Sequence, residues 1–134
     1  MKLLSIAKEI LDLNSNASLT GSLMLHLRGI DLGREIKDID ILIPDYAPNV
    51  IMPEHSTLEI KEQSSDGSGV KYLYKGVMVD ILSSNEEPVI FKGVKMGTID
   101  GLMQAKYNYS KQENNHSSKH HEDLIKMGFK FPEN

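Results

Sequence analysis

Two short stretches hold the residues best suited to chemistry. Thr20-Gly21-Ser22 opens what reads as a helix, and sixteen residues after Ser22 comes Asp38-Ile39-Asp40. Glycine lets a backbone approach a ligand closely, and the first N–H groups of a helix attract phosphate. Two aspartates at i and i+2 of a strand point to one side, about 7 Å apart along the backbone, where both can lean on one hard cation. Side by side, such charges repel unless a cation is shared between them. Asp80 stands alone in the apolar run Val77-Met78-Val79-Asp80-Ile81-Leu82. An acid there is costly unless it is paired or binds metal. If that run lies beside residues 38–43, three carboxylates meet with no sulfur or imidazole among them. Such a donor set suits Mg²⁺ or Mn²⁺ rather than zinc. Together the stretches suggest metal-assisted chemistry on a nucleoside triphosphate.

Each residue also has a plainer explanation. Asp38 and Asp40 can be the solvent-facing acids of a strand end, and Asp80 a cap or the partner of a nearby lysine. Ser22 is a good N-cap. A Walker loop is excluded, since no Gly-Lys-Ser/Thr is present. His116 and His120, followed by His121-Glu122-Asp123, are better explained by a polar helix start than by a metal site. His26 reads as a surface or partly buried helix residue. Tyr72, Tyr74, Tyr107 and Tyr109 can stack a base, but packing is the commoner use.

The elements that must position these residues follow from periodicity. Leu3, Ile6, Ala7 and Ile10 mark an amphipathic helix over 2–13, closed by Asn14-Ser15-Asn16. Ala17 to Thr20 is a short strand, and a helix with Leu23, Leu27 and Ile30 on one face follows Ser22. Asp31 to Lys37 is a loop. Ile39, Ile41 and Ile43 alternate with Asp38, Asp40 and Leu42 as in a strand, which Pro44 stops. Residues 57–62 and 70–75 alternate about the turn Ser64 to Gly69 and predict a hairpin. Lys75-Gly76 is a further turn before the strand of Asp80, and Val89 to Phe91 is an edge strand. Thr98 caps a helix running to about Tyr109. After the polar segment Lys111 to Ser118 comes a last helix over about 118–128, with Leu124, Ile125 and Phe129 apolar. This order predicts a mixed sheet with helices against it.

Composition sets outer bounds. A length of 134 residues fits one domain, 1–134. Fifteen Lys and Arg against 19 Asp and Glu give a net charge of −4, which argues against a nucleic-acid coat protein. The absence of cysteine removes disulfides, thiolate zinc sites and cysteine nucleophiles. No apolar run approaches the roughly 18 residues of a membrane span. Met1 to Leu13 interleaves charges without a cleavage-site pattern, so a soluble cytoplasmic protein without membrane contact is expected.

Gly21-Ser22, Asp38-Ile39-Asp40 and Asp80, in this order, resemble the signature of the DNA-polymerase-β-like nucleotidyltransferase superfamily. Arg34 shortly before Asp38, then Ala105-Lys106, then Lys119-His120-His121-Glu122-Asp123-Leu124 resemble its branch of abortive-infection-type toxin nucleotidyltransferases. The resemblance spans roughly residues 17–128. It implies an α/β (α+β) nucleotidyltransferase fold, a mixed β-sheet packed against helices, in a minimal single-domain form. It implies that Asp38 and Asp40 hold Mg²⁺ ions bridging a triphosphate, and that Asp80 shares one and helps activate an acceptor hydroxyl. Gly21 and Ser22 would contact the β- and γ-phosphates. Lys106 is the foremost cation for the triphosphate, followed by Arg34 and Lys119. The implied activity is Mg²⁺-dependent transfer of a nucleoside monophosphate from an NTP to a hydroxyl acceptor, releasing pyrophosphate. The acceptor is a protein, a tRNA or a small molecule. The alternative is a non-catalytic module of the same fold that binds a nucleotide, a partner protein or a second copy of itself.

Overall fold

The computed structural model describes residues 2–44, 46–59, 69–111 and 117–130. Along the chain run α1 (Lys2–Leu13), β1 (Ser18–Thr20), α2 (Gly21–Leu27), β2 (Asp38–Ile43), a 3₁₀ turn (Ala47–Asn49), β3 (Thr57–Leu58), β4 (Gly69–Tyr74), β5 (Val77–Ser83), β6 (Val89–Phe91), β7 (Val94–Met96), α3 (Ile99–Ser110) and α4 (Ser117–Lys126). The strands form one sheet in the order β3-β4-β5-β2-β1-β7-β6. β2 runs parallel to β5 and β1 parallel to β7, while the other neighbours are antiparallel. The expected mixed sheet is therefore present. The turn expected over Ser64 to Ser68 lies outside the described residues, as do His116 and most of the polar segment before α4.

Alternation decides the centre of the sheet. Ile39, Ile41 and Ile43 of β2 and Val77, Val79 and Ile81 of β5 are buried, which turns Asp38, Asp40 and Asp80 to the opposite face. The buried side joins one core with Ile6, Ala7 and Ile10 of α1 and Leu23 and Met24 of α2. Each such isoleucine or leucine contributes about 1.5–3 kcal/mol of burial free energy. Asn14 ends α1 and secures it. Its Nδ2 donates to the carbonyls of Ile10 and Ile51, both at 2.8 Å, and its Oδ1 accepts from the Ile51 N–H at 2.8 Å.

Two hairpins close with a Lys-Gly pair in the left-handed region, Lys75-Gly76 (φ 52° and 76°) and Lys92-Gly93 (φ 49° and 78°). Positive φ at both central residues matches the right-handed twist of the flanking strands. The second hairpin makes β6 the edge strand expected over Val89 to Phe91, and adds β7, which the sequence reading left out. α3 begins as expected at Thr98, whose Oγ1 accepts from the Gly101 N–H at 2.9 Å. Glu86, from the loop between β5 and β6, completes that cap, its Oε1 accepting from the Thr98 N–H at 2.6 Å. In α4, Leu124 is buried, but Ile125 faces solvent. Phe129 meets the edge of Tyr107, with ring centroids 5.2 Å apart. Among the described residues no helix is long and apolar enough to cross a membrane.

Candidate functional site

The register of the central strands brings the sequence-predicted acids together. Asp40 is the Cα partner of Asp80 across β2 and β5, and Asp38 lies two residues before Asp40 on the same face. All three line one pocket of about 660 Å³. Gly21, Ser22, Arg34, Lys106 and Lys119 line it too, so each candidate residue borders the same space. Among the described residues, no three His, Cys, Asp or Glu side chains stand close enough together to hold a metal ion. The donor set itself fits a hard divalent cation: carboxylates only, on one face, with like charge that lysines offset only in part. That charge is felt most by Asp40. Burial first, then the Asp80 charge, push its carboxyl up to about 6, with Lys106 offsetting part of the rise. Burial also pushes Asp80 up, against the pull of Lys71.

Gly21 is where the phosphate-suited stretch meets the acids. Its φ of +71° is a conformation that side chains rarely adopt. A Cβ there would fall 2.0 Å from Asp40 Oδ2, so only glycine lets the first turn of α2 close over that carboxylate. Ser22 is not the N-cap. Thr20 holds that position, with extended backbone and no side-chain capping bond, and Ser22 sits within the first turn.

Over the pocket, three segments meet on one acid. Asp123 of α4 is fully buried. Arg34, from the loop after α2, donates to both its oxygens, through Nη1 to Oδ1 and through Nη2 to Oδ2 at 2.7 Å. Lys106 of α3 donates to Oδ2 at 2.8 Å. Burial alone would raise the Asp123 carboxyl, but these two cations outweigh it and hold it down at about 2. Lys126 fastens the same loop to α4, its Nζ donating to the Leu32 carbonyl at 2.5 Å. Lys106 is thus no solvated helix lysine: it is 6% exposed and spends one N–H on Asp123. Lys37 and Lys119 also face the pocket, and neither has an acidic partner among the described residues.

Lys37 and Lys71 line the pocket although the sequence reading did not single them out, and Asp123, quoted there only within the Lys119-to-Leu124 motif, holds two of the pocket's cations. For Lys71 a signal exists. A two-residue turn at Lys75-Gly76 pairs Tyr74 with Val77, and counting three residues back along each strand pairs Lys71 with Asp80. For Asp123 the signal is weak, because its partners lie 17 and 89 residues away. Of the four tyrosines that could stack a base, Tyr72, Tyr74 and Tyr107 do not line the pocket, and the Tyr109 side chain lies outside those described. Tyr74 donates to Glu9 Oε2 at 2.6 Å, Tyr72 packs on the core, and Tyr107 meets Phe129.

No family model matches the chain, and no curated protein matches it. Solved structures do. The crystal structure of a "putative nucleotidyltransferase" from H. pylori superimposes over 92% of this chain and 64% of its own, at 20% identity and a TM-score of 0.56. The crystal structure of JHP933 from Helicobacter pylori does so over 92% of this chain and 62% of its own, at 19% identity and a TM-score of 0.53. The chain spans less than two thirds of either protein. At such identity the likeness is one of fold: the chain has a nucleotidyltransferase fold, an α+β mixed sheet with helices, as the motif resemblance implied.

Proposed function

We propose that this protein is a divalent-metal-dependent nucleotidyltransferase, moving a nucleoside monophosphate from an NTP to a hydroxyl acceptor with release of pyrophosphate. One observation carries the reading: Asp38, Asp40 and Asp80 face a single pocket from adjacent parallel strands, with Gly21 against Asp40 and Ser22 lining the same pocket. In this reading the three carboxylates hold Mg²⁺ or Mn²⁺, which supplies Lewis-acid stabilisation of the entering and leaving oxygens at the α-phosphorus. Gly21 and Ser22 receive the β- and γ-phosphates. Lys106, Arg34 and Lys119 lend positive charge to the triphosphate, and Asp123 fixes the first two of them. Lys37 adds a further cation, so a chain of net charge −4 still presents five cations to this pocket, counting Lys71. The acceptor oxygen attacks the α-phosphorus, its bond to phosphorus forms, the bond to the β-phosphate oxygen breaks, and Asp80 takes the acceptor proton. The acceptor is a protein, a tRNA or a small molecule. The motifs around Arg34, Lys106 and Lys119 to Leu124 favour the toxin-like branch of the superfamily.

A second reading is a non-catalytic nucleotide- or partner-binding module. What favours it is the pairing of Asp80 with Lys71 and the absence, among the described residues, of a ready three-acid cluster. Incubation with each labelled NTP, Mg²⁺ and a cell extract separates the two. The enzyme reading expects label to move to a protein, RNA or small-molecule fraction. Nucleotide retained on the protein without any transfer would favour the module.

A further inference from the structure

The floor of the pocket is a row across four adjacent strands. Lys71 of β4 faces Asp80 of β5, Asp80 faces Asp40 of β2, and Asp40 faces Thr20 of β1. Neighbouring strands lie about 4.8 Å apart, so the row is about 14 Å long. At the β1 end the chain continues into Gly21-Ser22. At the β4 end stands an ammonium, with Lys71 Nζ 3.7 Å from Asp80 Oδ1. The acids are thus unequal. Asp80 has an ion-pair partner, whereas Asp38 and Asp40 have none among the described residues. Lys71 is half exposed, on a flexible stem with room to swing into solvent.

We propose that Lys71 is a built-in counter-ion of Asp80, which a divalent cation must displace, so that Asp80 is withheld from metal in the nucleotide-free protein. This rests on the reading that the three acids hold divalent cations. An ammonium and a metal ion compete for the same carboxylate oxygen, and the two cations repel. A partly exposed pair is weakly held. It therefore yields to a doubly charged ion but lowers that ion's affinity. The triphosphate shifts the balance, because its own charge offers the ammonium a second partner as it brings the cation in. The Asp38–Asp40 end then accepts a cation at any time, and the Asp80 end does so when nucleotide arrives.

The test is the Mn²⁺ affinity of the nucleotide-free chain, read from the electron paramagnetic resonance signal of free Mn²⁺. Lys71→Met is expected to bind Mn²⁺ about five-fold more tightly, as removal of one charge at about 4 Å in a water-like medium allows. Lys71→Arg keeps the wild-type affinity. In an Asp80→Asn background the gain from Lys71→Met disappears. Equal affinity in the wild type and Lys71→Met, or a gain that persists with Asp80→Asn, overturns the counter-ion while leaving the metal reading standing. Failure of both proteins to bind Mn²⁺ at millimolar concentration overturns both.

Discussion

Asp40 and Asp123 are both withdrawn from water beside lysines, and the protein drives them in opposite directions. Asp40, on the floor of the pocket, is pushed up to about 6 by burial and by the charge of Asp80. Asp123, in the roof, is held at about 2 because Arg34 and Lys106 donate into it from two other segments. What differs is the supply of counter-charge. The roof is a joint: three pieces of chain far apart in sequence are locked by one carboxylate. The floor is a set of like charges of which, among the described residues, Asp80 alone has an ion-pair partner, Lys71. Residues that oppose stability in this way are expected where a ligand completes the charge balance.

The contrast is sharpest under substitution. Asp40→Asn should lower nucleotidyl transfer about a hundred- to a thousand-fold, the scale of losing a transition-state contact. It should not lower the melting temperature of the metal-free protein, since it removes a buried like charge; a large fall in melting temperature would make the floor structural too. Asp123→Ala should do the reverse in kind. It strands the Arg34 and Lys106 charges and should cost about 3 kcal/mol in urea unfolding, near the lower end for a broken buried pair because Arg34 is 31% exposed. Wild-type stability in that variant would mean the roof is no joint.

Gly21→Ala probes the seam between the two regions. The strained φ and a Cβ 2.0 Å from Asp40 Oδ2 should cost about 1–3 kcal/mol of stability and move the carboxylate as well, visible as lost transfer at full nucleotide saturation. Acid titration gives the smallest effect. Asp123 has a depressed carboxyl, so its contribution is complete above the ordinary value of 3.8 and is lost as pH falls toward about 2. About 2 kcal/mol should disappear over that window in pH-dependent unfolding, and Asp123→Ala should flatten the slope there.

Floor and roof also differ in how far they can be read from sequence. The floor is local. Ile39, Ile41 and Ile43 declare the strand and its inward face, so Asp38 and Asp40 must share the other. The apolar run around Asp80 declares a second interior strand, and the Lys75-Gly76 turn sets what lies beside it. The edge is less legible. Val94 to Met96 is only three residues long, and its place in the sheet rests on the Lys92-Gly93 turn. The roof is not local at all. Nothing within a helical turn of Asp123 announces that it will bind Arg34 and Lys106. The motif resemblance picks out Lys106, but its bond to Asp123 cannot be read until α3 and α4 are packed together. Ser22 shows the limit of capping rules: a good capping residue sits within the first turn, while Thr20 takes the N-cap position without a side-chain bond and Gly21 opens the helix at positive φ.

The central claim is that the acidic floor directs chemistry to the α-phosphorus of a nucleotide. Its most direct test is a pair of incubations with the same NTP and Mg²⁺ in cell extract, one labelled at the α-phosphate and one at the γ-phosphate. The account predicts acceptor-bound label from the α-labelled NTP only, with labelled pyrophosphate from the other, and neither with Asp38→Asn or Asp40→Asn. Acceptor-bound label from the γ-phosphate, or α-label transfer undiminished in either variant, would contradict it.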